Sequence, residues 1–289
     1  MIKIPVFYTP KMVAIGPRSS PSAAKPAQVV ASWKKLDVPL DIREPLPATR
    51  AQLELAHEPS FVRDVLSCQR HNGFGDTDPV VAASLPYTTG SMLSAAKHVL
   101  ANALGAAAAP CSGFHHAGYD HGGGFCTFNG LVVTALALLD AKLVKRVGIL
   151  DCDAHYGNGT DHIISELGLT WITHRTAGRH FGAHSSSEAF FRWLHKAVES
   201  MRGCDLVLYQ AGADPHIHDP LGSGFLTTEE MRERDKIVFE GLKKLGIPVV
   251  WNLAGGYQQE RDGGIPKVLE IHDNTMRECA RVYCSAKVA

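Results

Sequence analysis

The sequence has no surplus of charge of either sign, since 29 lysine and arginine residues balance 29 aspartate and glutamate residues among its 289 positions. No basic run stands out as an electrostatic footprint for nucleic acid or for an anionic lipid surface. The composition therefore disfavours nucleic acid and membranes as partners. It gives no indication of an oligomeric state.

Long apolar runs and interdomain linkers are also missing. The longest apolar stretch, Leu131 to Leu139, ends at Asp140 and is too short to span a bilayer. The N-terminal residues 1–8 are too short an apolar run for a signal peptide and indicate a first strand. The stretch Gly16 to Ala27 is the single low-complexity candidate and is interpreted as a surface loop. We therefore expect one domain over residues 1–289.

Cysteine is present only as seven scattered residues, an odd number with no Cys-x-x-Cys pair. A disulfide framework or a structural zinc site usually needs paired cysteines. The pattern favours reduced thiols in the cytoplasm, each acting as a small buried hydrophobic side chain.

Short apolar runs alternate with helical patterns over most of the chain. The strand candidates are Pro5–Tyr8, Val147–Asp151, Leu169–Thr173, Asp205–Gln210 and Pro248–Leu253. The helix candidates are Gly90–Leu104, Gly130–Leu143, Ser187–Met201 and Thr228–Leu245, the last preceded by a Thr227/Glu230 capping-box spacing. Apolar strands between helices predict an α/β fold, with a mainly parallel sheet covered by helices on both faces.

Polar residues directly follow three of the predicted strands. The three segments are Asp151–His155, Ala211–Asp214 and Ala254–Tyr257. In an extended strand, residues two apart point to the same side, so Asp151, Asp153 and His155 converge. Because ligands gather at the carboxyl ends of parallel strands, the sequence predicts one site built from three strand ends.

Two carboxylates and one imidazole in this set are the candidate metal ligands: Asp153, His155 and Asp214. Such a set leaves a zinc ion an open position for water, which is a catalytic feature, whereas a structural zinc site would use four protein ligands. Zinc would acidify its water and polarise a carbonyl oxygen. Fe²⁺ is an alternative, because the ligand types do not choose cleanly between the two metals.

A glycine-rich segment, residues 112–129, carries the adjacent histidines His115 and His116. A lone pair of this kind is often a surface feature. Both rings could nevertheless face a metal-bound water if separate acceptors orient them, and Asp151 and Asn158 are available for this.

Four stretches of the chain, in this order and spacing, resemble the zinc-dependent histone deacetylase family. They are GFHHAGYDHGGGFCTFN, LDCDAHYGNGT, AGADPHIHDPLGSG and LAGGYQ. The glycine-rich loop, the Arg234-Asp235 pair and the Gly-Gly-Tyr-Gln ending look most like class IV members and bacterial histone deacetylase-like amidohydrolases. The resemblance implies an arginase-like fold and hydrolysis of an N-acyl amide, with acyl-lysine as the familiar substrate.

The resemblance also implies catalytic roles within this set. The zinc ligands would be Asp153, His155 and Asp214. His116 would be the general base, and His115, paired with Asp151, would be an electrostatic or acid partner. Tyr257 would donate a hydrogen bond to the developing oxyanion. Asn158 stands where some members have aspartate, which changes the pKa of His116.

Substrate contacts and a second ion follow from the same resemblance. Phe125 would form one wall of the acyl-lysine tunnel and Phe181 the other. Gly124 and the two glycines before it would leave room for a longer acyl chain. Asp76 or Asp78 would supply a rim carboxylate, unless none is present. A structural potassium ion would be held by Asp151 and by nearby backbone carbonyls.

Three other functions are compatible with parts of the sequence pattern. An arginase-type binuclear manganese hydrolase needs further carboxylates, but Gly157 follows His155 by two positions and Asp214 precedes Pro215. A catalytically dead acyl-lysine reader predicts loss of the base, the tyrosine or a ligand, and none is lost. An acetylpolyamine or other small-amide hydrolase is not separated from an acyl-lysine deacylase by the sequence.

Overall fold

The computed structural model describes residues 2–15, 21–103, 105–222 and 224–284. Within these ranges seven strands pair in parallel in one sheet. The strands are β1 (Ile4–Phe7), β2 (Leu40–Arg43), β3 (Ala106–Ala108), β4 (Val147–Asp151), β5 (Ile172–Thr176), β6 (Leu206–Gln210) and β7 (Val249–Asn252). The α-helices are α1 (Pro21–Trp33), α2 (Arg50–Leu53), α3 (Pro59–Leu66), α4 (Pro79–Ala101), α5 (Gly130–Asp140), α6 (Asn158–Glu166), α7 (Ser187–Glu199), α8 (Thr228–Leu245) and α9 (Pro266–Tyr283). None of the described helices is both long and apolar enough to span a membrane.

The strand order β2-β1-β3-β7-β6-β4-β5 places four loops at one edge of the sheet. Asp151 pairs with Gln210, and Gln210 pairs with Asn252, so β4, β6 and β7 end level with one another. β3 lies beside β7. The segments that follow these four strands therefore meet at the carboxyl edge, where parallel sheets bind ligands.

The sheet buries apolar side chains on both faces, because successive strand residues point in opposite directions. In β4, Ile149 packs into one layer and Leu150 into the other. One layer is covered by α1, α7, α8 and α9, and the other by α3, α4, α5 and α6. The predicted parallel sheet with helices on both faces is confirmed.

The expectation of a surface loop over Gly16–Ala27 is wrong for residues 21–27, while residues 16–20 lie outside the described ranges. Residues 21–27 belong to α1, which buries Lys25 completely. Pro26 has no N–H to donate to the carbonyl of Ser22, and the hydroxyl of Ser112 donates to it instead. A distant residue thus satisfies a helix that the local sequence, rich in proline and serine, does not reveal.

The ends of some elements differ from the predicted ends because pairing or packing with neighbouring elements determines them. The strand predicted at Leu169–Thr173 begins at Ile172, because that residue pairs with the first residue of β4. The helix predicted at Gly90–Leu104 is the second half of α4, which starts after the capping residue Asp78; Leu104 itself lies outside the described ranges. β4 and α8 lie where they were predicted.

Candidate active site

Asp153, His155 and Asp214 meet at the carboxyl edge of the sheet. Each offers a ligand atom within 4.8 Å of the other two. The Nδ1 atom of His155 lies 3.1 Å from Asp153 Oδ1 and 2.9 Å from Asp214 Oδ2. Both carboxylates are buried, whereas His155 is partly exposed. The structure therefore brings together the three side chains that the sequence analysis selected as metal ligands.

The electrostatics of this trio favour a cation. Burial and the neighbouring charge of Asp153 raise the pKa of Asp214 to about 7. Hydrogen bonds to both carboxylates raise the pKa of His155 to about 11. Two buried carboxylates with one imidazole form a donor set that fits a zinc-type ion, whose binding would displace the imidazole proton.

Small residues hold the carboxylates in place. The backbone N–H of Gly255 donates to Asp153 Oδ2 at 2.7 Å, and that of Ala154 donates to Asp214 Oδ1 at 3.0 Å. A Cβ atom at Gly255 would lie 2.1 Å from Asp214 Oδ2. The backbone can approach the ligands this closely only because position 255 has no side chain.

The two histidines have separate acceptors. His115 Nδ1 donates to Asp151 Oδ2 at 2.8 Å, and His116 Nδ1 donates to Asn158 Oδ1 at 2.6 Å. Burial opposes charging of His115, but the carboxylates of Asp151 and Asp153 outweigh it and raise the pKa of His115 to about 9. Burial and the charge of His115 lower the pKa of His116. Two adjacent rings, 4.1 Å apart, thus favour opposite protonation states.

The turn at Gly124 and Phe125 packs against His116. Both residues have positive φ, +52° and +62°. A Cβ atom at Gly124 would lie 2.4 Å from the His116 ring, and one at Gly122 would lie 3.0 Å from the carbonyl oxygen of Cys126. Close packing fills the space beside Gly122 and Gly124, whereas a Cβ atom at Gly123 would meet nothing within 4 Å, so room for a longer acyl chain at this turn stays a prediction.

Tyr257 faces the same site from the loop after β7. Its ring centroid lies 5.8 Å from that of Phe125 and 6.3 Å from that of His155. Burial, together with the charges of Asp153 and Asp214, raises the pKa of Tyr257 far above its ordinary value. Its hydroxyl is therefore a protonated donor at neutral pH.

Comparison with known proteins matches the histone deacetylase domain over residues 22–173 and 172–266. This chain belongs to the histone deacetylase family. Among its relatives, an uncharacterized protein of Picosynechococcus sp. is 28% identical over 241 residues, 76% of this chain and 79% of that protein. Histone deacetylase 2 of Arabidopsis thaliana is 27% identical over 248 residues, 75% of this chain and 64% of that protein.

Family relatives also include a small-amide enzyme. The acetylpolyamine amidohydrolase of Mycoplana ramosa is 39% identical over 110 residues, 38% of this chain and 28% of that enzyme. Among solved structures, an acetylpolyamine aminohydrolase from Burkholderia pseudomallei has a TM-score of 0.76 at 20% identity, covering 97% of this chain and 99% of that one. The HD domain of HDA15 has a TM-score of 0.80 at 18% identity, covering 99% and 90%. These structures share the fold of this histone deacetylase-family chain.

Three further residues that the sequence analysis named, a candidate tunnel wall and two candidate rim carboxylates, contact residues outside the proposed site. Phe181 packs into an aromatic cluster, with ring centroids 5.4 to 6.0 Å from those of Phe190, Trp193 and Phe225. Its place opposite Phe125 stays a prediction. Asp78 caps α4 by accepting the N–H of Val80, and Asp76 accepts a hydrogen bond from Asn72.

Two buried residues that sequence reasoning missed hold the loop after the histidine pair. His57 Nδ1 donates to the carbonyl of Gly118 at 2.8 Å, and His57 Nε2 accepts the N–H of Asn129 at 2.8 Å. The Asn129 amide donates to the carbonyl of Ala117 at 3.1 Å. Asn129 closes the glycine-rich motif and could have been noticed there, whereas His57 lies far away in sequence.

Two more missed residues support the loop that carries Tyr257. Lys25 donates to the carbonyl of Ala254, and burial lowers the pKa of its ammonium group to about 8, although nearby carboxylates favour the charged form. Asp219 accepts the backbone N–H of Tyr257 at 2.7 Å. It also accepts the N–H groups of Leu221 and Gly222, so one carboxylate joins the loops after β6 and β7.

Proposed function

We propose that this chain is a metal-dependent amidohydrolase that removes acyl groups from lysine side chains, with one catalytic domain over residues 1–289. The observation that carries the proposal is the convergence of Asp153, His155 and Asp214 with an oriented histidine pair and a protonated tyrosine. Membership of the histone deacetylase family supports amide hydrolysis as the reaction class.

Asp153, His155 and Asp214 would hold the ion, which when bound supplies Lewis acidity and lowers the pKa of water. His116 is suited to accept the proton of the attacking water at Nε2. Its Nδ1 is engaged by Asn158, and its lowered pKa keeps it unprotonated near neutral pH. After the amide bond breaks, His116 returns this proton to the leaving lysine amine.

The neighbouring groups stabilise developing charge. His115 is held charged by Asp151, so it places a positive charge beside the reacting carbonyl. The hydroxyl of Tyr257 donates to the carbonyl oxygen as negative charge develops there. Such a preorganised donor is most effective in a site that excludes water.

The acyl-lysine stem would lie against an aromatic wall formed by Phe125 and Tyr257, with Phe74 supporting Phe125 from behind at a centroid distance of 5.8 Å. Phe181 is retained as the opposite wall. A structural potassium ion at Asp151, a cytoplasmic location and a resemblance to class IV members remain expectations from the sequence.

A cavity lies beside Phe125, and none of the three proposed metal ligands lines it. It is lined by Ala23, Leu85, Gly113 and Phe114, among others, and has a volume of about 50 Å³. At roughly 10–15 Å³ for each water-sized group, it has room for about four such groups. Each buried methylene adds about 0.8 kcal/mol. If the acyl chain enters this cavity, a hexanoyl group should be preferred over acetyl, and a palmitoyl chain should exceed the space.

A second candidate function is hydrolysis of acetylated polyamines. The observation that favours it is the 39% identity, over 110 residues, to the enzyme of Mycoplana ramosa. The chemistry at the metal would be the same. Only the entrance of the site has to differ, because a free cationic amine replaces the peptide backbone.

The test is one substrate panel on one zinc preparation, with an iron preparation alongside. It compares kcat/KM for acetyl-, hexanoyl- and palmitoyl-lysine peptides and for acetylputrescine. Hydrolysis of the lysine peptides and inhibition by a hydroxamate are expected. Acetylputrescine as the sole good substrate would favour the second function. No hydrolysis of any amide with either metal, or two manganese ions that are both lost in Asp214→Ala, would contradict both.

A further inference from the structure

A second group of metal-binding side chains lies away from the proposed active site. It consists of Asp120, His121 and His162, each offering a ligand atom within 4.8 Å of the other two. Asp120 and His121 belong to the loop that follows the histidine pair, whereas His162 lies on α6. None of the roles proposed above uses these three residues.

Each of the two imidazoles has a ring nitrogen that can serve as a metal ligand. In the tautomer in which His121 Nδ1 donates to Asp120 Oδ1 at 2.8 Å, the lone pair of the neutral ring lies on Nε2. A carboxylate bonded to the far nitrogen is the usual support of a metal-ligating histidine. His162 Nδ1 accepts the backbone N–H of Tyr119 at a long 3.2 Å, so a bound ion would have to displace this hydrogen bond.

One nitrogen of each ring lies close to Gly118. A Cβ atom built on Gly118 would lie 2.7 Å from His121 Nε2 and 2.7 Å from His162 Nδ1. Gly118 is not among the residues with positive φ, so its backbone conformation does not require glycine. The missing side chain instead lets both rings approach the backbone at this point, which keeps the two nitrogens close together.

We propose that Asp120, His121 and His162 form a second, peripheral site for a divalent transition metal. Imidazole and carboxylate donors suit zinc, nickel and copper, whereas calcium and magnesium prefer oxygen donors alone. His121 Nε2 and His162 Nδ1 bind the ion, and Asp120 orients His121 and offers its second oxygen. Solvent completes the coordination, since Asp120 and His121 are exposed.

The proposed ion would join two segments that position the general base. The loop residue Gly118 lies two positions after His116, and α6 begins at Asn158, which accepts the hydrogen bond of His116. Crosslinking the loop to α6 therefore stabilises the fold locally. We expect zinc to raise the unfolding temperature through this site even when the active site cannot bind metal.

The experiment measures zinc bound per chain by equilibrium dialysis and elemental analysis, after stripping with a chelator. The wild type is expected to bind two ions, and His121→Ala and His162→Ala one each. Asp214→Ala keeps one ion, and Asp214→Ala/His162→Ala keeps none. Asp120→Asn should weaken the peripheral site by about 10- to 100-fold. His195→Ala, an exposed histidine on α7, is the matched control and should bind two.

These variants separate this proposal from the proposed function. If the wild type binds one ion that is lost in His162→Ala but kept in Asp214→Ala, the peripheral site stands and the active-site metal fails. If His121→Ala and His162→Ala both keep every ion bound by the wild type, the peripheral site is refuted. Circular dichroism and the zinc-dependent shift in unfolding temperature, measured on the same samples, exclude misfolding as the cause.

Discussion

At the scale of single residues, the side chains that would touch substrate depend on smaller neighbours. Gly124 allows the backbone to lie against the His116 ring, and Asp219 fixes the backbone of Tyr257. The backbone of the proposed oxyanion donor is thus held in place, and a donor positioned in advance stabilises developing charge most effectively.

Removing that hydroxyl tests its role directly. Tyr257→Phe should lower kcat by about 100- to 1,000-fold, the typical cost of losing one oxyanion donor. Zinc content should stay unchanged, because Tyr257 is not a ligand. Tyr156→Phe is the matched control, since that hydroxyl donates to Asp161 outside the reacting centre. Near-normal turnover in Tyr257→Phe would show that another group stabilises the oxyanion.

At the scale of secondary-structure elements, α8 contacts the loop after β6, which carries the proposed metal ligand Asp214. Arg234 on α8 is fully buried and donates through Nη1 to the carbonyl of Gly212 at 2.5 Å. Its Nε donates to Asp235 at 2.9 Å. A Cβ atom at Gly212 would lie 2.8 Å from a carboxylate oxygen of both Asp153 and Asp214, so Arg234 holds the backbone that separates two proposed ligands.

Removing the Arg234 guanidinium group should weaken metal binding as well as lower the stability of the fold. Arg234→Met should cost about 3 to 5 kcal/mol, because it leaves the buried Asp235 charge unpaired, and should weaken zinc affinity by about tenfold or more. Thr227→Ala is the control on the same helix: it removes the capping box at a cost of about 1 kcal/mol. Equal zinc affinity in both variants would reduce Arg234 to a purely structural role.

At the scale of the whole molecule, stability depends on a buried neutral histidine. Burial lowers the pKa of His57 to about 4. Below pH 6.5 the unfolded chain binds a proton at His57, whereas the folded chain does not bind it until the pH nears 4. The contribution of His57 to the free energy of unfolding is therefore fully present above pH 6.5 and is lost as the pH falls toward 4. From the usual 1.36 kcal/mol per pKa unit, the loss from His57 is about 2 kcal/mol at pH 5.

Urea unfolding between pH 7 and pH 5 measures this loss. His57→Gln keeps an N–H for Gly118 and an oxygen for the N–H of Asn129 without titrating, so its stability should fall less steeply than that of the wild type. Parallel slopes for the two proteins would assign the acid sensitivity to other groups.

The sequence by itself determined the α/β class, the positions of β4 and α8, and the segments at strand ends that meet at the carboxyl edge. These follow from periodicity and from the rule that parallel strands end together, which are local or general properties. The motif stretches likewise carried the family resemblance, because their residues are adjacent in the chain.

Only the tertiary structure decided what lies far apart in sequence. Lys25 donates to the loop after β7 from α1, a helix that the sequence predicts as a surface loop. This helix can include Pro26 because the hydroxyl of Ser112 donates to the Ser22 carbonyl, which Pro26 cannot do. His57 reaches Gly118 across more than sixty positions, and its role shows only in that contact. Close packing of the Gly124 backbone against the His116 ring likewise shows only in the tertiary structure. Burial and hydrogen bonding at such sites depend on neighbours that local pattern does not encode.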